Sequence, residues 1–277
     1  MDARSALFDL YGDHLRSLPV SGPQGGAESA RGQAPVAALV RLMAPLGIHP
    51  PAVRTAVSRM VRQGWLTAVR LPSGPGYALT PRALRRLDDA AARIYRTCAQ
   101  DWDGRWHLLV VTPPAGRPAR ERLQAQLGWF GYATLGGGTW IAPRPAPELD
   151  AALADAGARA ERFVAEHDGD SQALIARAWD LESLARSYSR FVEEARLVLD
   201  DTDASTDEGA FAARSALVHA WRMFLFVDPA LPPALLPPGW PGTKAAAWFD
   251  EEAARLLPAA RRFVTTCLQG ALEGTDV

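Results

Sequence analysis

His49-Pro50-Pro51-Ala52-Val53-Arg54-Thr55-Ala56-Val57-Ser58-Arg59-Met60-Val61-Arg62-Gln63-Gly64-Trp65, residues 49–65, carries two patterns at helical spacing. Val53, Ala56, Val57, Met60 and Val61 fall at i, i+3, i+4, i+7 and i+8, the buried stripe of an amphipathic helix. Arg54, Thr55, Ser58, Arg59 and Arg62 lie on the opposite face, and Arg54, Ser58 and Arg62 succeed one another four residues apart. Two prolines open the segment, where a missing N–H has no intrahelical partner to lose, and Gly64 stops it.

Working outward, Val36–Ala44 reads as a preceding helix closed by Pro45 and Gly47, with the short link Leu46-Gly47-Ile48-His49 after it. Ser5–Leu18 reads as a first helix striped by Leu7, Leu10, Tyr11 and Leu15, and the Gly/Pro/Ser/Gln stretch Pro19–Pro35 as a mobile loop. Downstream, Trp65–Leu71 and Tyr77–Leu79 are expected as strands around the turn Pro72-Ser73-Gly74-Pro75-Gly76. Thr80-Pro81 then supplies an N-cap and first position for a helix to about Tyr95. Helix, helix, tight turn, helix, hairpin, helix is the order of a winged helix-turn-helix, expected over residues 1–96.

The charge distribution agrees with that expectation. Residues 1–96 hold 13 arginines, no lysine and 6 acidic residues, a net charge of +7, and the remainder carries −8. A basic segment on an acidic remainder fits a module that binds a polyanion. Arg suits such a surface because its fork pairs with guanine O6 and N7 and also with phosphate oxygens. The expected DNA-reading residues are therefore Arg54, Thr55, Ser58, Arg59 and Arg62, with Arg70 on the wing. His49 stands at the helix start, where a solvated imidazole explains it better than a phosphate contact does.

The next stretch changes period. Arg105–Thr112, Phe130–Leu135, Thr139–Ala142 and Ala160–Glu166 are expected strands, and Arg117–Leu127 and Glu148–Ala156 expected helices. This β-α-β-β-α-β order predicts a ferredoxin-like domain over 97–169. Residues 170–277 read as helical: Ser171–Leu199, Glu208–Phe226 and Ala245–Leu272, with the proline-rich connector Asp228–Gly242 before the last. The expected class is α+β, in three domains.

No apolar run approaches the roughly 18 residues of a membrane span, and the opening Met1-Asp2-Ala3-Arg4-Ser5 is no signal peptide, so a soluble cytoplasmic protein is expected. The two cysteines, Cys98 and Cys267, lie far apart and read as small buried apolar residues rather than metal ligands. No GxSxG, P-loop, HExxH or GxGxxG motif is present, and the five histidines are scattered, so no catalytic residue, metal site or cofactor is expected.

Ser5-Ala6-Leu7-Phe8-Asp9-Leu10-Tyr11-Gly12-Asp13 stands at the start, Val53–Val61 and Gly64-Trp65-Leu66 in the helix-turn-helix, and three further stretches near the C-terminus. Those three are Leu217-Val218-His219-Ala220-Trp221-Arg222, Asp228-Pro229-Ala230-Leu231-Pro232 and Leu235-Leu236-Pro237-Pro238-Gly239-Trp240-Pro241-Gly242. In these stretches, taken in order, the chain resembles the PaaX-type repressors of phenylacetate degradation. The resemblance implies a homodimeric repressor of a catabolic operon that binds a double-stranded DNA operator and is released by a small-molecule effector. An aryl-CoA thioester is the family's best-known effector. The Gly-rich insertion between the first two helices departs from the family pattern.

An acyl-CoA asks for cations beside apolar or aromatic walls. The acidic C-terminal part offers His219 and Arg222 one turn apart, with Arg214, Trp221, Trp240, Trp248 and the single lysine, Lys244. His219, Arg222 and Trp240 are the expected effector residues, although each also fits a purely structural role. The central domain is in turn similar to the ferredoxin-like nuclease of CRISPR adaptation, which makes a metal-dependent nuclease the alternative reading. That enzyme's metal-binding aspartate at the end of the first strand has no counterpart in Val111-Thr112-Pro113-Pro114, and Asp101 and Asp103 precede the strand.

Overall fold

The computed structural model describes residues 1–17, 31–95 and 102–273. In chain order α1 (Ala3–Leu10) passes into a π-helical turn (Tyr11–Leu15), followed from residue 31 on by β1 (Ala34–Pro35), α2 (Val36–Met43), a 3-10 turn (Ala44–Leu46), α3 (Pro50–Arg62), β2 (Leu66–Leu71), β3 (Gly74–Leu79) and α4 (Pro81–Ile94). Next come β4 (Trp106–Thr112), α5 (Arg117–Trp129), β5 (Ala133–Gly136), β6 (Thr139–Ala142), α6 (Leu149–Ala156) and β7 (Arg159–Ala165). The helices α7 (Ser171–Ala178), α8 (Leu181–Asp200), α9 (Asp207–Trp221), α10 (Phe224–Val227) and α11 (Pro241–Glu273) complete the order, with a second 3-10 turn at Pro233–Leu235. Most of the loop expected at Pro19–Pro35, and Cys98, lie outside the described residues.

Backbone contacts divide the chain into two units, residues 1–97, 191–222 and 245–277, and residues 98–190 and 223–244. The C-terminal helices are thus shared between the units. In the first unit Leu7, Tyr11 and Leu15 are buried with Leu39, Leu42 and Met43 of α2 and Val53, Val57 and Met60 of α3. Phe211 of α9 and Ala260, Val264 and Cys267 of α11 enter the same cluster. Burying each large apolar side chain stabilises by about 1.5–3 kcal/mol, so the N-terminal helices draw part of their stability from residues two hundred positions away.

Three local departures from the sequence reading concern the first helix and the hairpin. The first helix starts at Ala3 rather than Ser5, because the Asp2 carboxylate accepts the Arg4 and Ser5 N–H groups and caps it. It also widens after Leu10, where the Arg16 N–H reaches the Tyr11 carbonyl at 2.9 Å, five residues back. The hairpin turn is tighter than expected. Leu71 pairs with Gly74, so Pro72-Ser73 alone forms the loop and Gly74–Gly76 already belong to β3. Gly76 tolerates this because a β-carbon there would stand 2.8 Å from the Ala34 carbonyl oxygen of β1, its neighbour in the sheet order β1-β3-β2.

In the second unit the sheet order is β5-β6-β4-β7, antiparallel throughout, with β4 paired to β7 from Trp106↔Ala165 to Thr112↔Arg159. Leu109 and Val111 pack with Leu123 and Leu127 of α5 and Leu149 and Leu153 of α6. Trp106 and Ile141 pack instead with Leu174 and Ile175 of α7 and with Leu231 and Leu235. Strand side chains alternate in direction, so β4 supplies both clusters. The single helix expected at Ser171–Leu199 is broken: Trp179 is extended (φ −125°, ψ 137°), and the Asp180 carboxylate accepts the Ser183 N–H at 2.9 Å, starting α8 afresh. The helix expected at Glu208–Phe226 divides as well. Trp221 donates to the Ile94 carbonyl in the first unit, whereas Phe224 stacks on Tyr188 in the second, with two residues between them to change partner.

His14 is buried in the first unit beside the Phe211 ring, and neither of its ring nitrogens makes a hydrogen bond. Its Nε2 is 3.3 Å from the Asp13 carboxylate without hydrogen-bonding alignment. Burial is the main cause that brings its pKa from 6.5 down to about 4, with Arg214 and Arg261 adding to the effect and Asp13 opposing it. The folded chain therefore keeps His14 neutral in a range where the unfolded chain protonates it, and stability falls as pH drops from about 6.5 to about 4. Urea unfolding should record a loss on the order of 3 kcal/mol across that window, and His14→Phe should flatten the profile there. An unchanged profile in the variant would assign the acid sensitivity to other groups.

Candidate nucleic-acid interface

Helix α3 turns about 100° per residue, which places Pro51, Thr55, Ser58 and Arg62 along the centre of its outer face. Arg54 and Arg59 flank that line by about 60° on either side. All six are exposed, and so is Arg70 on β2, opposite Pro75 in the hairpin. The helix contains no acidic residue. Its start offers no spare amide donors, because Pro50 and Pro51 have no N–H and the Ala52 and Val53 N–H groups both go to the His49 carbonyl, at 3.0 and 3.2 Å. An anion at this helix would be held by side chains. Thr55 turns its hydroxyl back along the helix and donates to the Pro51 carbonyl at 2.9 Å.

The end of α3 is pinned to both neighbouring elements. Gly64 takes φ +71°, a left-handed value that glycine adopts without penalty, and the Trp65 N–H then reaches the Met60 carbonyl at 2.9 Å. The Thr80 hydroxyl donates to the Gly64 carbonyl at 2.8 Å and accepts the Ala83 N–H at 3.2 Å, so one side chain ties α3's stop to α4's start. The Arg82 guanidinium lies 5.2 Å from the centre of the Trp65 ring, and Phe8 of α1 meets the same ring edge-on at 5.1 Å.

Behind this face, α1 and its π turn present two carboxylates to α9. Asp13 accepts from Arg214 Nε and Nη2 at 2.8 and 2.7 Å and from the Tyr95 hydroxyl of α4's end at 2.6 Å. Arg214 is 3% exposed and donates also to Tyr95 and to the Ala253 carbonyl. Burial by itself would raise the Asp13 pKa, but His14 and Arg214 outweigh it and hold the carboxyl below its ordinary value. Burial and the Asp13 charge push the Tyr95 hydroxyl up. One turn back, Asp9 pairs with His219 Nδ1 at 2.7 Å and with Arg222.

The residues expected to meet an effector fall in different units. His219 and Arg222 converge on Asp9 in the first unit. Trp240 belongs to the second unit, edge-on to Tyr188 at 6.1 Å and bordering a groove of about 300 Å³ lined by Leu181, Glu182, Ala185, Pro237 and Pro238. Tyr188 also donates to the Asp228 carboxylate, which accepts the Ala230 N–H at 2.8 Å. The sequence reading did not single out Asp9, Asp13 or Tyr95. Its available signal was a pair of carboxylates four residues apart within an apolar stripe, a placement that needs partners. Among the described residues no group of three or more His, Cys, Asp or Glu is placed to hold a metal, and none of the helices is long and apolar enough to cross a membrane.

Three family models match the chain in order: PaaX-like protein over residues 2–83, the PaaX protein central Cas2-like domain over 99–175, and the PaaX-like protein C-terminal domain over 179–266. The chain belongs to the PaaX family. The transcriptional repressor PaaX of Escherichia coli (strain K12) is 28% identical over 278 residues, covering 93% of this chain and 88% of that protein. Uncharacterized protein Rv0674 from Mycobacterium tuberculosis superposes with a TM-score of 0.59 at 26% identity, over 95% of this chain and 99% of that one. The family is one of transcriptional regulators rather than enzymes. Its first and last models both cover segments that build the first unit, and the stretches that carried the likeness include Asp9, Asp13, His219 and Arg222.

Removing one partner of a buried, hydrogen-bonded ion pair leaves the other charged and unpaired, at a cost of about 3–5 kcal/mol. Arg214→Met should lower the unfolding free energy by that order in urea titration. Asp13→Asn with Arg214→Met should recover part of the loss. If the double variant is as unstable as the two single losses added, the two residues are not coupled.

Proposed function

We propose that this chain is a sequence-specific DNA-binding transcriptional repressor of the cytoplasm, acting as a homodimer. In this reading residues 1–96 form a winged helix-turn-helix, 97–169 a ferredoxin-like domain and 170–277 a helical effector and dimerisation part. The exposed outer face of α3, cationic and free of acidic side chains, carries the proposal. Arg54, Thr55, Ser58, Arg59 and Arg62 would enter the major groove of an operator, with Arg70 of the hairpin on the adjacent backbone. The name of the E. coli relative, a transcriptional repressor, supports the sign of regulation. For the nuclease alternative, β4 ends at Thr112 with Pro113-Pro114 after it, a place without a carboxylate.

The effector of this reading is a small molecule, with an aryl-CoA thioester the class suggested by the family resemblance. The groove beside Trp240 has the size and apolar character of a small-ligand site. His219 and Arg222 would act in the response through Asp9, whose carboxylate links them to the helix that packs on α3.

Arg54→Ala should cost about 1–3 kcal/mol of binding to operator DNA while leaving scrambled DNA nearly unaffected. Gel-shift titration on both duplexes decides this, and an unchanged operator affinity removes Arg54 from the base-reading set. A thermal-shift screen of aryl-CoA thioesters should find a ligand that raises the melting temperature and releases DNA. Trp240→Ala should weaken that ligand's effect, and His219→Ala with Arg222→Ala should uncouple it from release. Variants that fold, bind DNA and release it at the wild-type ligand concentration would take these residues out of the effector response.

A further inference from the structure

We propose that α3 reads a thymine through the methyl group of Thr55, so that one position of the operator is recognised by its 5-methyl rather than by a hydrogen bond. The inference rests on the DNA-binding reading and deepens it.

Two hydroxyl side chains occupy the centre of the outer face, and they are not equivalent. The Thr55 hydroxyl is spent on the Pro51 carbonyl at 2.9 Å, which leaves its γ-methyl as the part of this exposed side chain not tied to the helix. Back-bonding of this kind is a familiar option for Thr in helices. Ser58, one turn further on, is exposed and has no such bond, so it keeps its donor and acceptor for a base edge or a phosphate.

The surroundings of Thr55 point the same way. Pro51 stands four residues before it and Ala52 three, both exposed, so the first turn of α3 presents an apolar platform in an otherwise cationic face. Neither proline has an N–H, and the Ala52 and Val53 amides are taken by the His49 carbonyl, so no backbone donor interrupts the platform. In the major groove the thymine 5-methyl is the one apolar group a base pair displays, and Thr methyl and Ala are among its usual contacts. The start of a recognition helix is also the part that reaches base edges. Arg54 and Arg59, on the flanks, are left for guanine or phosphate.

The test starts from double-stranded sites enriched by the full-length protein from a random-sequence pool. Binding to the enriched duplex is then measured for wild type, Thr55→Val and Thr55→Ser, with deoxyuridine replacing each conserved thymine in turn. At one position the loss of the methyl should weaken wild type and Thr55→Val about fourfold, the ratio that corresponds to burial of one methyl-sized group. Thr55→Ser, which keeps the hydroxyl and lacks the methyl, should bind the thymine and deoxyuridine duplexes alike. The proposal is overturned if no conserved thymine responds, if Thr55→Ser keeps the discrimination, or if Thr55→Val loses it. Circular dichroism melting checks that both variants are folded. Failure of the pool to enrich any sequence would instead overturn the DNA-binding reading itself.

Discussion

The Asp13–Arg214 pair binds together parts of the chain that sequence order keeps apart. Placing a carboxylate and a guanidinium under the surface costs several kcal/mol each in lost hydration, and only a fully satisfied arrangement recovers it. Here the satisfaction is nearly complete: Arg214 bonds both Asp13 oxygens, the Tyr95 hydroxyl and the Ala253 carbonyl, and Tyr95 also donates to Asp13. Those groups come from the π turn, α9, the end of α4 and α11. The pair thus gathers four elements of the first unit at one buried point. The apolar cluster does likewise, since Phe211, Ala260 and Val264 close a core begun by Leu7 and Leu15.

That arrangement also sets what lies behind the exposed arginines. Helix α1 touches α3 on one side and α9 on another, and Asp9 pairs with His219 and Arg222 of the latter helix and its cap. The outer face of α3 is free of such ties, because Val53, Ala56, Val57 and Met60 absorb its packing. Rigidity and availability are thus divided between two faces of one helix. Thr80 and Gly64 fix where α3 ends, and the two prolines fix where it begins.

The second unit adds aromatic contacts to its two apolar clusters, with Trp102 edge-on to Trp106, Trp106 near-parallel to Trp179, and Tyr188 stacked on Phe224 at 4.0 Å. The motif Asp228-Pro229-Ala230 has a direct structural task there. Asp228 accepts from Tyr188 and from the Ala230 N–H, holding Ala230 at φ +54°, and a β-carbon on Gly131 would stand 2.7 Å from the Pro229 oxygen. A left-handed alanine is costly by itself, so the Asp228 bond and the close approach at Gly131 are what keep it in place.

Much of the fold was legible in the sequence because periodicity and punctuation are local. The stripe at Val53–Val61, the stop at Gly64, the cap at Thr80 and the strand–helix alternation from Arg105 to Glu166 each follow from neighbouring residues alone. The exposed set on α3 was legible for the same reason: on an amphipathic helix, the residues off the apolar stripe face outward. The tertiary structure decided what local rules do not encode. It divided the C-terminal helices between two units, and it placed His219 and Arg222 on Asp9 and Arg214 on Asp13, some two hundred residues away. A cation written in sequence has no visible partner, and only the packed chain chooses among carboxylates by bringing one within 3 Å and excluding water from the rest. The sequence by itself determined which residues of this protein are turned outward on a cationic helix, and the tertiary structure determined which of its charges are turned inward and spent on each other.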